Sequence, residues 1–484
     1  MIKELRRVSI GIGVLFGALF VSTTVIQVFQ VDNLRVDPRN VRTLYDSYAT
    51  ERGSILVGST LIAESVPVDD VYRYQRTYHG GGLYAPVTGY FTVNQGVNGI
   101  EFAMNDKLSG QSNSQFFDQI IALVSGTDPR GASVKLTINA AVQQAARDAL
   151  GELTGAAIAI EPSTGRILAF VSTPTFDPND LASHDSDVVR SNYDALLNST
   201  ARPLINRAIG GDLYHPGSVF KLVVAAAAID SGMMSAQSTV PNPSKLDLPL
   251  SNSTIYNASD TSCGPGRSVT IATALRLSCN IPFAQIGVQL GEARLRDYAE
   301  AFGFGATVEV PMKTTPSIFP AGMDDAQLML SSFGQFDVRV TPLQIAMVSS
   351  AIANGGLLMA PTVVDSVLAR DLSPLSPFTP VEYGDPISAD TARILRDMMV
   401  DGVADGVANG AQIPGIAVAG KTGTAENGVD QPYTLWFTGF APAENPRVAV
   451  VVVVENSGGK GTPGTGNSVA APIARKIMEA VLAQ

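Results

Sequence analysis

"HPGSVFKLV", residues His215 to Val223, is the stretch on which the reading of this chain turns. A Pro-Gly break is followed by Ser218 and, three positions on, Lys221; the alanine-rich run Ala225–Ala228 comes next. Proline and glycine ahead of an apolar run mark a helix start at about Ser218. Residues three apart on a helix are neighbours on one face, so Lys221 is expected one turn above the Ser218 hydroxyl. The N–H groups and positive dipole of a helix start suit a developing oxyanion. A lysine that is desolvated, or set beside another cation, gives up its proton more easily and can act as a base. Taken alone, the spacing fits a cap followed by a surface lysine just as well.

Two further stretches bear on that choice. "LRLSCNIPFAQIG" puts Ser278 and Asn280 two apart at an element boundary, where both side chains can point to one side; by itself it reads as a capped loop. "VAGKTGTAEN" carries Lys421, Thr422, Gly423 and Thr424 on an extended segment. That offers a cation, two hydroxyls, and a glycine that leaves room for a ligand's backbone along a strand edge. The competing reading is a phosphate-binding turn. It fails, because "AVAGKT" lacks the first glycine of a P-loop.

The whole chain narrows the chemistry. At 484 residues, two or three domains are expected. Hydrophobic residues make up 45% and charged residues 16%, a globular composition. A net charge of −11 argues against nucleic acid as a partner, since a phosphate backbone calls for clustered Lys and Arg. Two cysteines and three histidines (His79, His184, His215) offer no metal-ligand spacing, so neither metal nor cofactor is expected. The same scarcity leaves a Ser-His-Asp triad only three candidate bases. At the N-terminus, Lys3, Arg6 and Arg7 stand against Glu4, and Val8 to Val31 runs 24 residues without a charge. This reads as one membrane span with a cytoplasmic tail and the rest of the chain outside. A cleaved signal peptide would have a shorter apolar core, so a retained anchor is preferred. Gly13 and Gly17 have the spacing of a helix-packing motif, which is common in spans.

Beyond the anchor, residues 32–134 are turn-rich, with a short helix in "GIEFAMNDKLSG" closed by Gly110, and no catalytic cluster stands out. "KLTINAAVQQAARDAL" starts extended and turns helical after Asn139, a fitting cap. "GAAIAIEPSTGRILAFVS" reads as two strands about a Pro-Ser-Thr-Gly turn. "LWFTGFAP" and "RVAVVVVVENS" read as strands, with Val448–Val454 buried on both faces, and "APIARKIMEAVLAQ" as a closing amphipathic helix. Strands at both ends of 135–484 and a helical middle predict one sheet assembled from distant pieces around a helical subdomain.

The ordered set S-x-x-K, S-x-N and K-T-G resembles the signature of penicillin-binding proteins and serine β-lactamases. "RGSILV", "NGIEFAMNDKLSG", "LTINAAVQQAA", "EPSTGRILAFVSTPTFDPN", "NRAIGGDLYHPGSVFK" and "VTPLQIAMVSSAIANGG" extend the likeness to monofunctional (class B) penicillin-binding proteins over nearly the whole chain. Within them it is most similar to the actinobacterial penicillin-binding protein A group. The resemblance implies an α+β fold: a tail at 1–7, a transmembrane helix at 8–31, a pedestal or dimerisation-like domain at 32–134, and a transpeptidase domain at 135–484. That last domain would have an antiparallel sheet flanked by helices, plus an all-α subdomain.

The resemblance also implies a peptidoglycan D,D-transpeptidase inhibited by β-lactams. Ser218 would attack the penultimate D-Ala carbonyl of a stem peptide, and Lys221 would take its proton. Ser278 and Asn280 would relay protons and hold the substrate amide, while Lys421 would lower the pKa of Lys221 and attract the substrate carboxylate. Thr422, Gly423 and Thr424 would form the substrate strand, with an oxyanion hole from the backbone N–H groups of Ser218 and Thr424. A SEDS-type membrane glycan polymerase is the implied partner. The middle residue of the second motif departs from the usual Asp: it is Cys279, and the only other cysteine is Cys263. Two independent cysteines remain one reading. The other is a disulfide, which an oxidising location and an even count permit. A β-lactamase would need a deacylating Glu in an E-x-x-L-N context, which Glu292, Glu300, Glu309 and Glu382 lack. A D,D-carboxypeptidase would carry the same motifs. A β-lactam receptor would be expected to have more cytoplasmic machinery than seven residues, and an inactive scaffold to have lost Ser218 or Lys421, both kept here; penicillin labelling separates a reacting serine from a binding-only fold.

Overall fold

The structure is a computed structural model and describes residues 2–29, 48, 50–110, 130–369, 371–461 and 464–484. Residues 30 and 31 of the expected span, and 32–47, 49 and 111–129 of the expected pedestal, lie outside them. Helix α1 (Ile2–Thr24), prolonged by one π turn to Phe29, starts earlier than the apolar run, taking the basic tail into its first turns. Arg6–Gln27 is long and apolar enough to cross a membrane, with a mean hydropathy of 2.0.

Strands β1 (Ile55–Val57), β2 (Thr60–Pro67) and β3 (Tyr74–Tyr78) form an antiparallel meander. The expected helix in 99–110 is two short pieces, α2 (Gly99–Ala103) and a turn at Asn105–Leu108. On α2, Glu101 is fully buried and accepts from Arg52 Nε at 2.5 Å and Arg76 Nε at 2.6 Å. β4 (Ser133–Leu136) pairs in parallel with β1 and antiparallel with β9 (Val364–Leu368), which in turn pairs with β10 (Pro374–Ser376). The six strands run in the order β10-β9-β4-β1-β2-β3. This sheet therefore combines strands from both sides of the 134/135 boundary.

The C-terminal half follows from two periodicities. α3 (Ala140–Leu150) is capped by the Asn139 side chain, as the sequence predicts. β5 (Gly155–Ile160) and β6 (Ile167–Thr173) form a hairpin. The helical middle contains α4 (Lys221–Asp230), the small strands β7 (Lys245–Asp247) and β8 (Thr254–Tyr256), α5 (Ile271–Arg276), α6 (Asn280–Leu290), α7 (Pro342–Ala353) and α8 (Ala389–Ala404). β11 (Ala419–Ala425), β12 (Thr434–Ala441), β13 (Val448–Val454) and α9 (Ala471–Leu482) complete the chain. The five-stranded antiparallel sheet has the order β11-β12-β13-β5-β6, joining both ends of the domain. Every residue of β13 is buried. Val448, Val450, Val452 and Val454 lie in the apolar cluster on the α9 side of the sheet, whereas Ala449, Val451 and Val453 lie in the cluster on the α7 side. Helices on both faces explain an unbroken valine run in an antiparallel strand.

Candidate active site

Ser218 sits in a 3₁₀ turn, Gly217–Phe220, and the α-helix proper begins only at Lys221. This differs from a helix starting at Ser218, and the cause is local. Gly217 has φ 54°, and a Cβ there would lie 3.1 Å from both the Thr424 carbonyl and the Ala425 side chain. The turn presses against β11, and only glycine turns so tightly so close. In a 3₁₀ turn residues i and i+3 eclipse, which sets Lys221 directly over Ser218.

Lys221 is fully buried, and its Nζ lies 2.9 Å from Ser218 Oγ. It donates to the Ser278 carbonyl at 2.7 Å and to Asn280 Oδ1 at 2.8 Å. Lys421 Nζ, on β11, donates to Ser278 Oγ at 2.6 Å and to the Thr422 carbonyl at 2.8 Å. Ser278 thus serves both lysines, one with its carbonyl and one with its hydroxyl. Its φ of 59° lies in the left-handed region, a strained state for serine that lets both groups face inward. Burial, and then the charge of Lys421, push Lys221 well below the ordinary lysine range. Burial lowers Lys421 itself to about 7. Among the described residues, no carboxylate is a hydrogen-bond partner of either amine.

The cleft above these groups has a volume of about 1360 Å³ and is lined by Ser218, Ser278, Asn280, Thr422 and Thr424, among others. All the expected polar residues therefore converge on one site. Gly423 is there for a reason the sequence did not show: a Cβ would stand 3.0 Å from the Pro216 carbonyl. Its missing side chain admits the turn that carries Ser218, a part of the protein itself. The histidines play no part as bases beside Ser218. His79 and His184 pair with Glu64 and Asp70, and His215 turns its ring to Arg339. Burial and Arg339 hold His215 at about 4.

Cys263 and Cys279 form a disulfide with Cα atoms 5.8 Å apart. It ties the loop after β8 to the start of α6, next to Ser278 and Asn280. Sequence reasoning missed Asn257 on that loop, whose side chain accepts from the backbone N–H groups of Asn280 and Ile281. Its contact lies 23 residues away along the chain, so no local pattern marks it.

Residues 155–479 match the family described as penicillin binding protein transpeptidase domain, and 52–134 match the penicillin binding protein A dimerisation domain. The chain is 40% identical over 491 residues to the peptidoglycan D,D-transpeptidase PbpA of Mycolicibacterium smegmatis, spanning 100% of this chain and 99% of the relative. It is 39% identical over the same length to PbpA of Mycobacterium tuberculosis, with the same coverage. Among solved structures it is similar to penicillin-binding protein A of M. tuberculosis in its ceftriaxone acyl-enzyme complex. That match has a TM-score of 0.86 at 38% identity, covering 90% of this chain and 100% of that one.

Proposed function

The chain belongs to the penicillin-binding protein transpeptidase family, and from that premise we propose how its own residues carry the reaction. It is a serine-type peptidoglycan D,D-transpeptidase and a target of β-lactams. The observation that carries the assignment of roles is the coordination of Lys221. A neutral amine has two N–H bonds and one lone pair. The Ser278 carbonyl and Asn280 Oδ1 take the two N–H bonds, which leaves the lone pair for the hydroxyl of Ser218. Burial and the Lys421 charge disfavour the protonated amine, so that lone pair is freer than in an ordinary lysine.

Ser218 then passes its proton to Lys221 as Oγ attacks the penultimate D-Ala carbonyl of a stem peptide. The oxyanion is held by the backbone N–H groups of Ser218 and Thr424. Thr422 and Thr424, on the cleft wall, bind the terminal carboxylate beside the Lys421 charge. The peptide C–N bond breaks, and the leaving D-Ala nitrogen receives the proton from Lys221, with the Ser278 hydroxyl as relay. An amine from a neighbouring stem attacks the acyl-enzyme, gives a proton to Lys221, and releases Ser218, which takes that proton back. A β-lactam ring offers the same carbonyl but tethers its leaving nitrogen, so the acyl-enzyme persists.

The same reading extends to placement and partners. The basic residues before the span put the N-terminus in the cytoplasm and the cleft outside. Residues 8–31 anchor the chain, 32–134 form the pedestal, and 135–484 carry the chemistry. A SEDS-type membrane glycan polymerase is the partner, because this chain supplies cross-links and no glycan polymerisation. A fluorescent penicillin tests the core of the proposal. One label per chain is expected, with none on Ser218→Ala; label persisting on that variant would overturn the assignment. Release of label within seconds would favour a hydrolase instead.

A further inference from the structure

We propose that Asn257 is a positioning residue for the catalytic base, supplying from a distant loop the helix cap that the second motif lacks. Helix α6 begins at Asn280 with Cys279 in the capping position, and the Cys279 side chain makes no capping hydrogen bond because it is held in the disulfide. In the S-D-N form of the motif, the residue there is an Asp, one of the preferred capping side chains. Here the first N–H groups of α6 go elsewhere. Asn257 Oδ1 accepts from Asn280 N at 3.0 Å and from Ile281 N at 3.1 Å.

Asn257 is itself fixed. It is 3% exposed, and its Nδ2 donates to the Thr261 carbonyl at 2.9 Å. The neighbouring Tyr256 carbonyl accepts from Asn280 Nδ2 at 2.9 Å. That contact decides which way the Asn280 amide faces, so its Oδ1 is the atom presented to Lys221. The end of β8 and the loop after it therefore hold the start of α6 three times: by backbone cap through Asn257, by orientation of the Asn280 amide through Tyr256, and by the covalent tie from Cys263 to Cys279. The chain of contact runs from Asn257 to the Asn280 backbone, from the Asn280 side chain to Lys221, and from Lys221 to Ser218. The cysteine in the motif and the asparagine on the loop belong together: the disulfide occupies the cap and delivers its replacement.

This inference rests on the roles proposed for Ser218 and Lys221, and the two fail differently. If those roles are wrong, the unaltered protein gives no label or Ser218→Ala still labels. The test of Asn257 is the time course of acylation by a penicillin, using the full chain in detergent, with rate at saturation, half-saturating concentration and label stoichiometry read separately. Asn257→Ala is expected to label once per chain, with the saturating rate lowered about fivefold to tenfold and half-saturation nearly unchanged. Asn257→Asp, which keeps the accepting oxygen, is expected to return to within about threefold of the original rate. A structural role alone would lower stoichiometry and leave the rate of the labelled fraction intact, which overturns the proposal. So would an unchanged rate in Asn257→Ala, or an Asp variant as slow as alanine. Should Asn257→Ala fail to fold, Asn257→Ser, whose oxygen stops one atom short, takes its place under the same criteria.

Discussion

Two buried amines in one site set Lys221 and Lys421 apart from the rest of the chain's charges, and each works at a cost to the fold. Lys421 binds a proton at about 7 in the native protein, against an ordinary value of 10.5. Between those values the unfolded chain holds more protons than the native one, so this lysine makes stability rise with pH across that window and leaves its full penalty below pH 7. Lys421→Met keeps the volume and removes the charge. It is expected to raise Tm at pH 7 and to lose that advantage progressively towards pH 10, as followed by thermal melts across pH. Its acylation rate should fall, because the Ser278 hydroxyl loses its partner. The acid limb of acylation should also move to higher pH, since the Lys421 charge no longer disfavours protonated Lys221. An acid limb that stays in place would remove Lys421 from the control of the base. Stability and activity would then part at a single residue, as expected where a site is electrostatically strained.

At the scale of elements, the join between the loop after β8 and the start of α6 carries more than its size implies. The disulfide closes a sequence separation of 16 residues. A loop of that length is worth about 3 kcal/mol on chain-entropy grounds. The Cys263→Ser/Cys279→Ser pair should lower stability in denaturant titrations by an amount of that order. It should also slow acylation, because the Asn257 loop and α6 then hold together only through hydrogen bonds. Lost stability with an unaltered acylation rate would make the bridge a staple without influence on the site. α6 and α4 meet at Lys221, so any looseness at the α6 start is felt at Ser218 within two contacts.

Across the whole molecule, the six-stranded sheet binds β9 and β10, drawn from 364–376, to the strands of 55–78 through β4. The pedestal and the catalytic half therefore share backbone hydrogen bonds, and thermal unfolding should follow one main transition. Glu101 tests this. Burial works against its charge, but Arg76 and Arg52 outweigh burial and hold its pKa below the ordinary range. Glu101→Ala would strand two buried guanidinium groups, at a cost of about 3–5 kcal/mol. Calorimetry should show the single transition moving down as a unit. A separate early transition, with the catalytic half melting at its original temperature, would show that the shared sheet does not couple the halves.

Much of this was legible in the chain before any coordinates. The apolar stretch Val8–Val31, the valine run of β13 and the Asn139 cap are written in local spacing, and the three short motifs gain their meaning from their order and the family likeness it carries. The convergence of Ser218, Ser278 and Lys421 could be expected from the order of the motifs, but not their distances. Other features depended on which distant segments touch. The left-handed Ser278, the glycine at 423 facing Pro216, the buried Arg52–Glu101–Arg76 triad, the sheet crossing the 134/135 boundary and the Asn257 cap all arise from contacts between residues far apart in sequence. The sequence by itself determined the kind of chemistry, through the order of three short motifs and the family likeness they carry. Only the tertiary structure decided how the base is held, because a hydrogen bond depends on distance in space and not on separation along the chain.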